Sequence, residues 1–166
     1  MSREDYFFNS NASVVQYETI EISHPDFSQS FFYVRNNANG IVADKGTPAG
    51  NETFEFVPMT ITDSSEVDDL DFMLEIEFQD LGEVLPAELQ AVRQANGLDV
   101  KPTLVYRTYR ADDLTTPLFG PITLEIQKIN FNRFGAVFEA SANRANNSQT
   151  GEIYTVDRFP MLRAFL

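Results

Sequence analysis

From Asp71 to Gln79 the chain alternates without a break. Phe72, Leu74, Ile76 and Phe78 fall on one side, and Asp71, Met73, Glu75, Glu77 and Gln79 on the other. A period of two is that of a strand with one face buried and one face wet. Wound into a helix, the same apolar residues would scatter around the circumference and bury nothing together. The segment therefore demands a sheet, and one whose other face is acidic.

Most of the remaining chain repeats that demand. Strand patterning is predicted at Gln16–Ser23, Ser30–Arg35, Thr103–Arg110, Ile122–Phe131, Phe134–Asn143 and Glu152–Val156. Thr53–Thr62 reads as a strand interrupted at Pro58, where an edge or a bulge is expected because proline cannot donate to a ladder. One helix is predicted, from Pro86 to about Asn96: Pro86 suits a first turn, Leu85, Leu89 and Val92 form a stripe, and Asn96-Gly97 is a stop. Residues 4–15 read equally as a short helix or an extended arm. Asn36-Asn37-Ala38-Asn39-Gly40 and Lys45-Gly46-Thr47-Pro48-Ala49-Gly50-Asn51 carry turn chemistry. They predict a long loop over about 36–52, with Ile41-Val42-Ala43 as a brief strand or the tip of a hairpin. Another polar loop is expected at Ala145–Gly151. Strands, one helix, then more strands predict a single α+β domain over residues 1–166, mainly antiparallel. Its expected architecture is a two-sheet sandwich or a distorted barrel with one flanking helix.

Composition narrows what such a domain can do. Fifteen Phe and six Tyr with no Trp suit sheets, and 43% hydrophobic residues exclude a disordered chain. There is no cysteine, so disulfides, thiolate metal sites and a Cys nucleophile are excluded, and a reducing cytoplasm is a fitting place of synthesis. No apolar run approaches the roughly 18 residues of a membrane span, and the first residues lack a signal-peptide pattern. The net charge is −13, and positions 46–92 hold no Lys or Arg at all. Such a surface repels phosphates, and by itself it reads as a solvated face that maintains solubility.

No catalytic constellation emerges. His24 is the only histidine, and in its His-Pro setting it reads as part of a turn rather than a catalytic base or metal ligand. Asp68, Asp69 and Asp71 lack the central glycine and the distal glutamate of a calcium loop. Phosphate loops, dinucleotide fingerprints, nucleophile elbows and metalloprotease helices are missing, and no cofactor is implied. Arg107, Tyr109 and Arg110 could stack and pair with single-stranded nucleic acid, but on a strand beside Leu104 and Tyr106 they read as ordinary alternation.

Three phrases carry a resemblance. Ile20-Glu21-Ile22-Ser23-His24-Pro25-Asp26-Phe27, Pro102-Thr103-Leu104-Val105-Tyr106-Arg107 and the closing Tyr154–Pro160 phrase resemble a phage-encoded family of unknown function from tail gene clusters of long-tailed bacteriophages. Arg158 stands where an acidic residue is frequent in that family. The resemblance implies no catalytic residue. It implies a fold similar to tail-tube and distal-tail proteins, and a minor tail protein of the virion that forms a homo-oligomeric ring, sixfold by analogy, at the distal tail tip. Its partners would then be further copies of itself and neighbouring tail-tube, tape-measure and hub proteins, with DNA only in transit and no membrane insertion. On this reading Glu75 and Glu77 are expected to face the DNA channel. Asn36, Asn39, Gly40, Lys45 and Pro48 would form an inter-subunit loop. A receptor- or glycan-binding module using Phe119, and a tail-terminator or head–tail joining ring, are the alternatives.

Overall fold

A computed structural model describes residues 14–46, 50–63, 73–79, 82–96, 100–132 and 135–142. The expected arm within 4–13, residues 64–72 and everything from 143 onward, including the polar loop and the closing strand, lie outside the described residues. The described strands are β1 (Gln16–Ser23), β2 (Phe31–Val34), β3 (Ile41–Asp44), β4 (Asn51–Phe56), β5 (Met59–Asp63), β6 (Met73–Phe78), β7 (Thr103–Arg110), β8 (Phe119–Asn132) and β9 (Gly135–Ser141). The helix, α1, runs Val84–Asn96.

Hydrogen bonding joins all nine strands in one sheet, ordered β3-β4-β2-β1-β7-β8-β9-β6-β5. The expectation of two sheets is corrected accordingly: the ladder is continuous. It is also mixed, because β2 pairs β4 in parallel while the other pairings are antiparallel. Pro58 does not interrupt one strand but separates two, which occupy nearly opposite ends of the order. Only Val57 and Pro58 connect β4 to β5, a reach of about 10 Å. In a flat sheet those strands would stand about 34 Å apart at ordinary spacing. The sheet must therefore curl until its ends approach. Val57 N–H donates to the Val34 carbonyl (3.2 Å), extending the β2–β4 pairing, and Gln79 N–H donates to that of Pro58 (3.0 Å), extending β5–β6, so both ladders run up to the link itself. No described ladder joins β5 to β4 or β2, so the curl stays open and is not a closed barrel.

The main core fills the inside of the curl. Ile20 and Ile22 of β1, Leu74, Ile76 and Phe78 of β6, Leu104 of β7, Leu124 of β8 and Phe138 of β9 meet there. An aromatic file crosses it, with Tyr33 of β2 edge-on to Phe78 (centroids 6.0 Å), which is edge-on to Phe138 (5.1 Å). Leu85 and Leu89 bring α1 onto this core from the inner side, as their spacing predicts. A smaller cluster lies on the outer face: Val34, Ile41, Ala43, Phe54 and Tyr109, where the β3–β4 hairpin packs over the sheet. Tyr109 OH donates to the Asp44 carbonyl (2.8 Å) and pins the hairpin down.

Gly135 shows how tightly the strands converge. A Cβ there would sit 1.8 Å from the Phe78 carbonyl oxygen, so only glycine lets β9 start beside the end of β6.

Candidate functional site

Glu75 and Glu77 lie where the alternation predicts, exposed on the outer face of β6 between buried Leu74, Ile76 and Phe78. Their cross-strand neighbours on β5 are Thr62 and Thr60. On β9, Glu75 stands opposite Glu139 and Glu77 opposite Val137. Like charges directly opposite repel. Lys128 of β8, paired with Glu139, relieves this by donating to Glu139 Oε1 at 2.8 Å. No described ion pair reaches Glu75 or Glu77, and their carboxylates are left to solvent.

The described residues of the 36–52 segment are tied down by specific bonds. Asn36 donates its amide to the Gln16 carbonyl (3.0 Å), and Asn37 Oδ1 accepts from Asn39 N–H (3.1 Å), a local Asx turn. Gly40 takes a positive φ of 70°, and a Cβ there would lie 2.6 Å from the Phe54 carbonyl oxygen. Ile41–Asp44 then forms β3 and pairs residue by residue with β4. Of the two forms expected for Ile41-Val42-Ala43 within this segment, the structure takes the strand. Pro48 lies outside the described residues. Asn36 and Asn39 remain exposed, but Lys45 does not reach outward.

Lys45 instead closes a polar layer beneath the hairpin. Its Nζ lies 3.5 Å from Glu21 and 3.6 Å from Glu52, and 4.3 Å above the Phe32 ring. Arg107 Nη1 donates to the other Glu21 oxygen at 2.8 Å, and Thr19 Oγ1 donates to the Arg107 carbonyl at 3.0 Å. Arg107, Thr19 and Tyr109 share the outer face of β1 and β7. Arg107 is thereby fixed inside the protein, and the stacking-and-charge reading of Arg107, Tyr109 and Arg110 loses two of its three residues to burial in this layer. Arg110 is buried too and binds Asp112 of the next turn.

His24 behaves as its His-Pro setting suggests. Asp26 N–H donates to Nδ1 (3.1 Å), so Nε2 carries the proton and donates to the Val100 carbonyl (2.9 Å). The ring ties the corner after β1 to the segment before β7. Among the described residues no group of His, Asp and Glu is arranged to hold a metal ion. Phe119 opens β8 with 47% of its surface exposed and meets Tyr106 edge-on, centroids 6.4 Å apart.

One feature went unseen in the sequence. Arg93, Lys101 and Lys128 are the exposed basic side chains among the described residues, and all three line one groove of about 880 Å³ between α1 and β8. They come from three elements spread over 36 positions of sequence, and nothing local links them.

An acidic β protein of one curled sheet, with an acidic strand face and a basic groove, is what fold and surface define together. The chain belongs to the family described as Domain of unknown function (DUF1833), which it matches over residues 3–140. No curated protein matches it. No helix among the described residues is long and apolar enough to cross a membrane.

Proposed function

We propose that this protein is a structural subunit of a bacteriophage tail, a ring-forming minor tail protein at the distal tip, with the outer face of β6 turned toward the DNA path. The observation that carries the reading is the pair Glu75 and Glu77, exposed and with no basic partner among the described residues, on a strand whose other face is core. A channel for DNA needs walls that offer phosphates no cation to bind. The resemblance of the Ile20–Phe27 and Pro102–Arg107 phrases to a tail-cluster family supplies the setting. Likeness to tail-tube and distal-tail folds, sixfold symmetry and contacts with tube, tape-measure and hub proteins belong to the same proposal, as does a virion location.

Replacing Glu75 and Glu77 together with Lys tests it. Both side chains are exposed, so the subunit folds as wild type does, and in the particles that assemble DNA ejection slows as each subunit places two new cations on the path. Unchanged ejection from well-assembled particles would reduce the face to a solubility device. A tail reconstruction with a single copy on the axis would end the ring reading altogether. A receptor- or glycan-binding role rests on the exposed Phe119 ring, and glycan-array binding abolished by Phe119→Ala would favour it. A tail-terminator ring would be separated from a distal one by where the labelled subunit lies along the tail.

A further inference from the structure

The groove between α1 and β8 holds more than three cations. β7 pairs with β8 only as far as Glu125, and the next bond in line is Ile126 N–H to the Pro102 carbonyl (2.9 Å). Beyond it, β8 runs on to Asn132 with β9 along one side only. From Gln127 to Phe131 the other side of β8 is therefore a bare strand edge among the described residues, and it opens into the groove. Apolar Pro86, Leu89, Ile129 and a 54% exposed Phe131 line the same space. Lys101 donates to Gln127 Oε1 and Lys128 to Glu139, whereas Arg93 has no described partner. A bare edge with apolar flanks and flanking cations is built to take an extended acidic strand.

We infer that the occupant is a second copy of this chain, which adds its β5 to the free edge of β8. Resting on the ring reading, this deepens it by naming the two surfaces that meet. Among the described residues β5 pairs only with β6, so its outer side is a second bare edge, at one end of the sheet. Its surroundings match the groove in charge: Asp63 ends the strand, Glu75 and Glu77 lie on the adjacent β6, and positions 46–92 contain no Lys or Arg. The two edges are different surfaces, so the contact is head-to-tail, the kind that closes into a ring when its rotation permits. Pairing in this way continues the sheet from subunit to subunit. Thr60, Thr62, Glu75 and Glu77 of one copy then share a face with Lys128, Asn130 and Glu139 of the next. The acidic outer face becomes one band around the assembly.

Because the chain has no cysteine, engineered disulfides read this contact directly. Thr60→Cys or Thr62→Cys protein, mixed at high concentration with Asn130→Cys protein and oxidised, is expected to give the mixed dimer well beyond the statistical share. Directly paired strand residues fall within disulfide reach. Adding Lys101→Glu and Lys128→Glu to the Asn130→Cys protein should cut that yield about tenfold. Adding Glu75→Lys and Glu77→Lys to the β5 partner should recover part of it. Statistical cross-linking, or a yield indifferent to charge reversal, would overturn the inference. If wild-type protein forms rings by light scattering while these cysteines fail to join, the ring stands and this contact falls. Charge-sensitive capture of a duplex DNA oligonucleotide or polyglutamate, without any mixed dimer, would assign the groove to another polyanion and likewise overturn it.

Discussion

Arg107 has 8% of its side chain exposed, one arm on Glu21, and an Nε with no acceptor among the described residues. An arginine in that position depends heavily on its one carboxylate. Glu21 also steadies Lys45, so Glu21→Ala strands Arg107 and leaves Lys45 with Glu52 alone. The expected loss is about 3–5 kcal/mol in chemical denaturation, far above the usual value of a surface pair. Replacing Glu21 and Arg107 together by apolar residues of similar size should recover most of that loss, because the desolvation cost leaves with the charges. Tyrosines give a second residue-scale expectation. Burial pushes the phenols of Tyr33 and Tyr109 up to about 12, with Glu55 adding to the effect at Tyr33. The folded protein thus holds these protons more tightly than the unfolded chain, whose tyrosines titrate near about 10. The stability they contribute is whole below about pH 10 and is lost as pH climbs through about 12. Ultraviolet titration should show two tyrosines ionising well above the ordinary value, and urea midpoints should fall across that window. A single tyrosine transition near the ordinary value would contradict it.

At the scale of elements, the sequence was most legible where a pattern was local and unmixed. β1 and β7 run between the residues that alternation suggested, and the Leu85, Leu89 and Val92 stripe faces inward in α1, which begins two residues before Pro86. β3 was legible as Ile41-Val42-Ala43, but with only Ile41 and Ala43 buried the signal between Asn-rich and Gly-rich punctuation was too short to decide between a strand and a hairpin tip. The split at Pro58 was hidden. Val57 and Met59 both point into the core, so the apolar pattern passes through the break as though one strand continued. That link has a measurable role. Four Gly/Ser residues inserted between Val57 and Pro58 should cost only about 1 kcal/mol globally, since loop length enters logarithmically. Hydrogen-exchange protection of β5 should nevertheless fall well below that of β1, because the link no longer holds the edge against the core. Equal protection in both strands would mean that the curl is maintained elsewhere. The groove was illegible for a related reason: it depends on where β7 stops relative to β8, a register that no window of sequence contains.

Over the whole molecule, class was readable and arrangement was not. Aromatic content and alternation dictate a β-rich chain, and the base-free run dictates an acidic surface, but strand order is a matter of which distant segments meet. Here the order does not follow the chain. The first four strands build one side of the sheet, β5 and β6 stand at the far end, and β7, β8 and β9 fill the middle between β1 and β6. During synthesis, therefore, everything up to about residue 100 leaves the ribosome as two half-sheets with nothing between them. One shows the open side of β1, the other the open side of β6, and both carry apolar faces awaiting partners. The segment that joins them is made after both and must be inserted whole. A nascent chain halted before Thr103 should bind holdase chaperones and precipitate when released, whereas one extended past Ser141 should resist protease. If the shorter chain proves soluble and protected, the two halves are independent folding units and the central strands only join them.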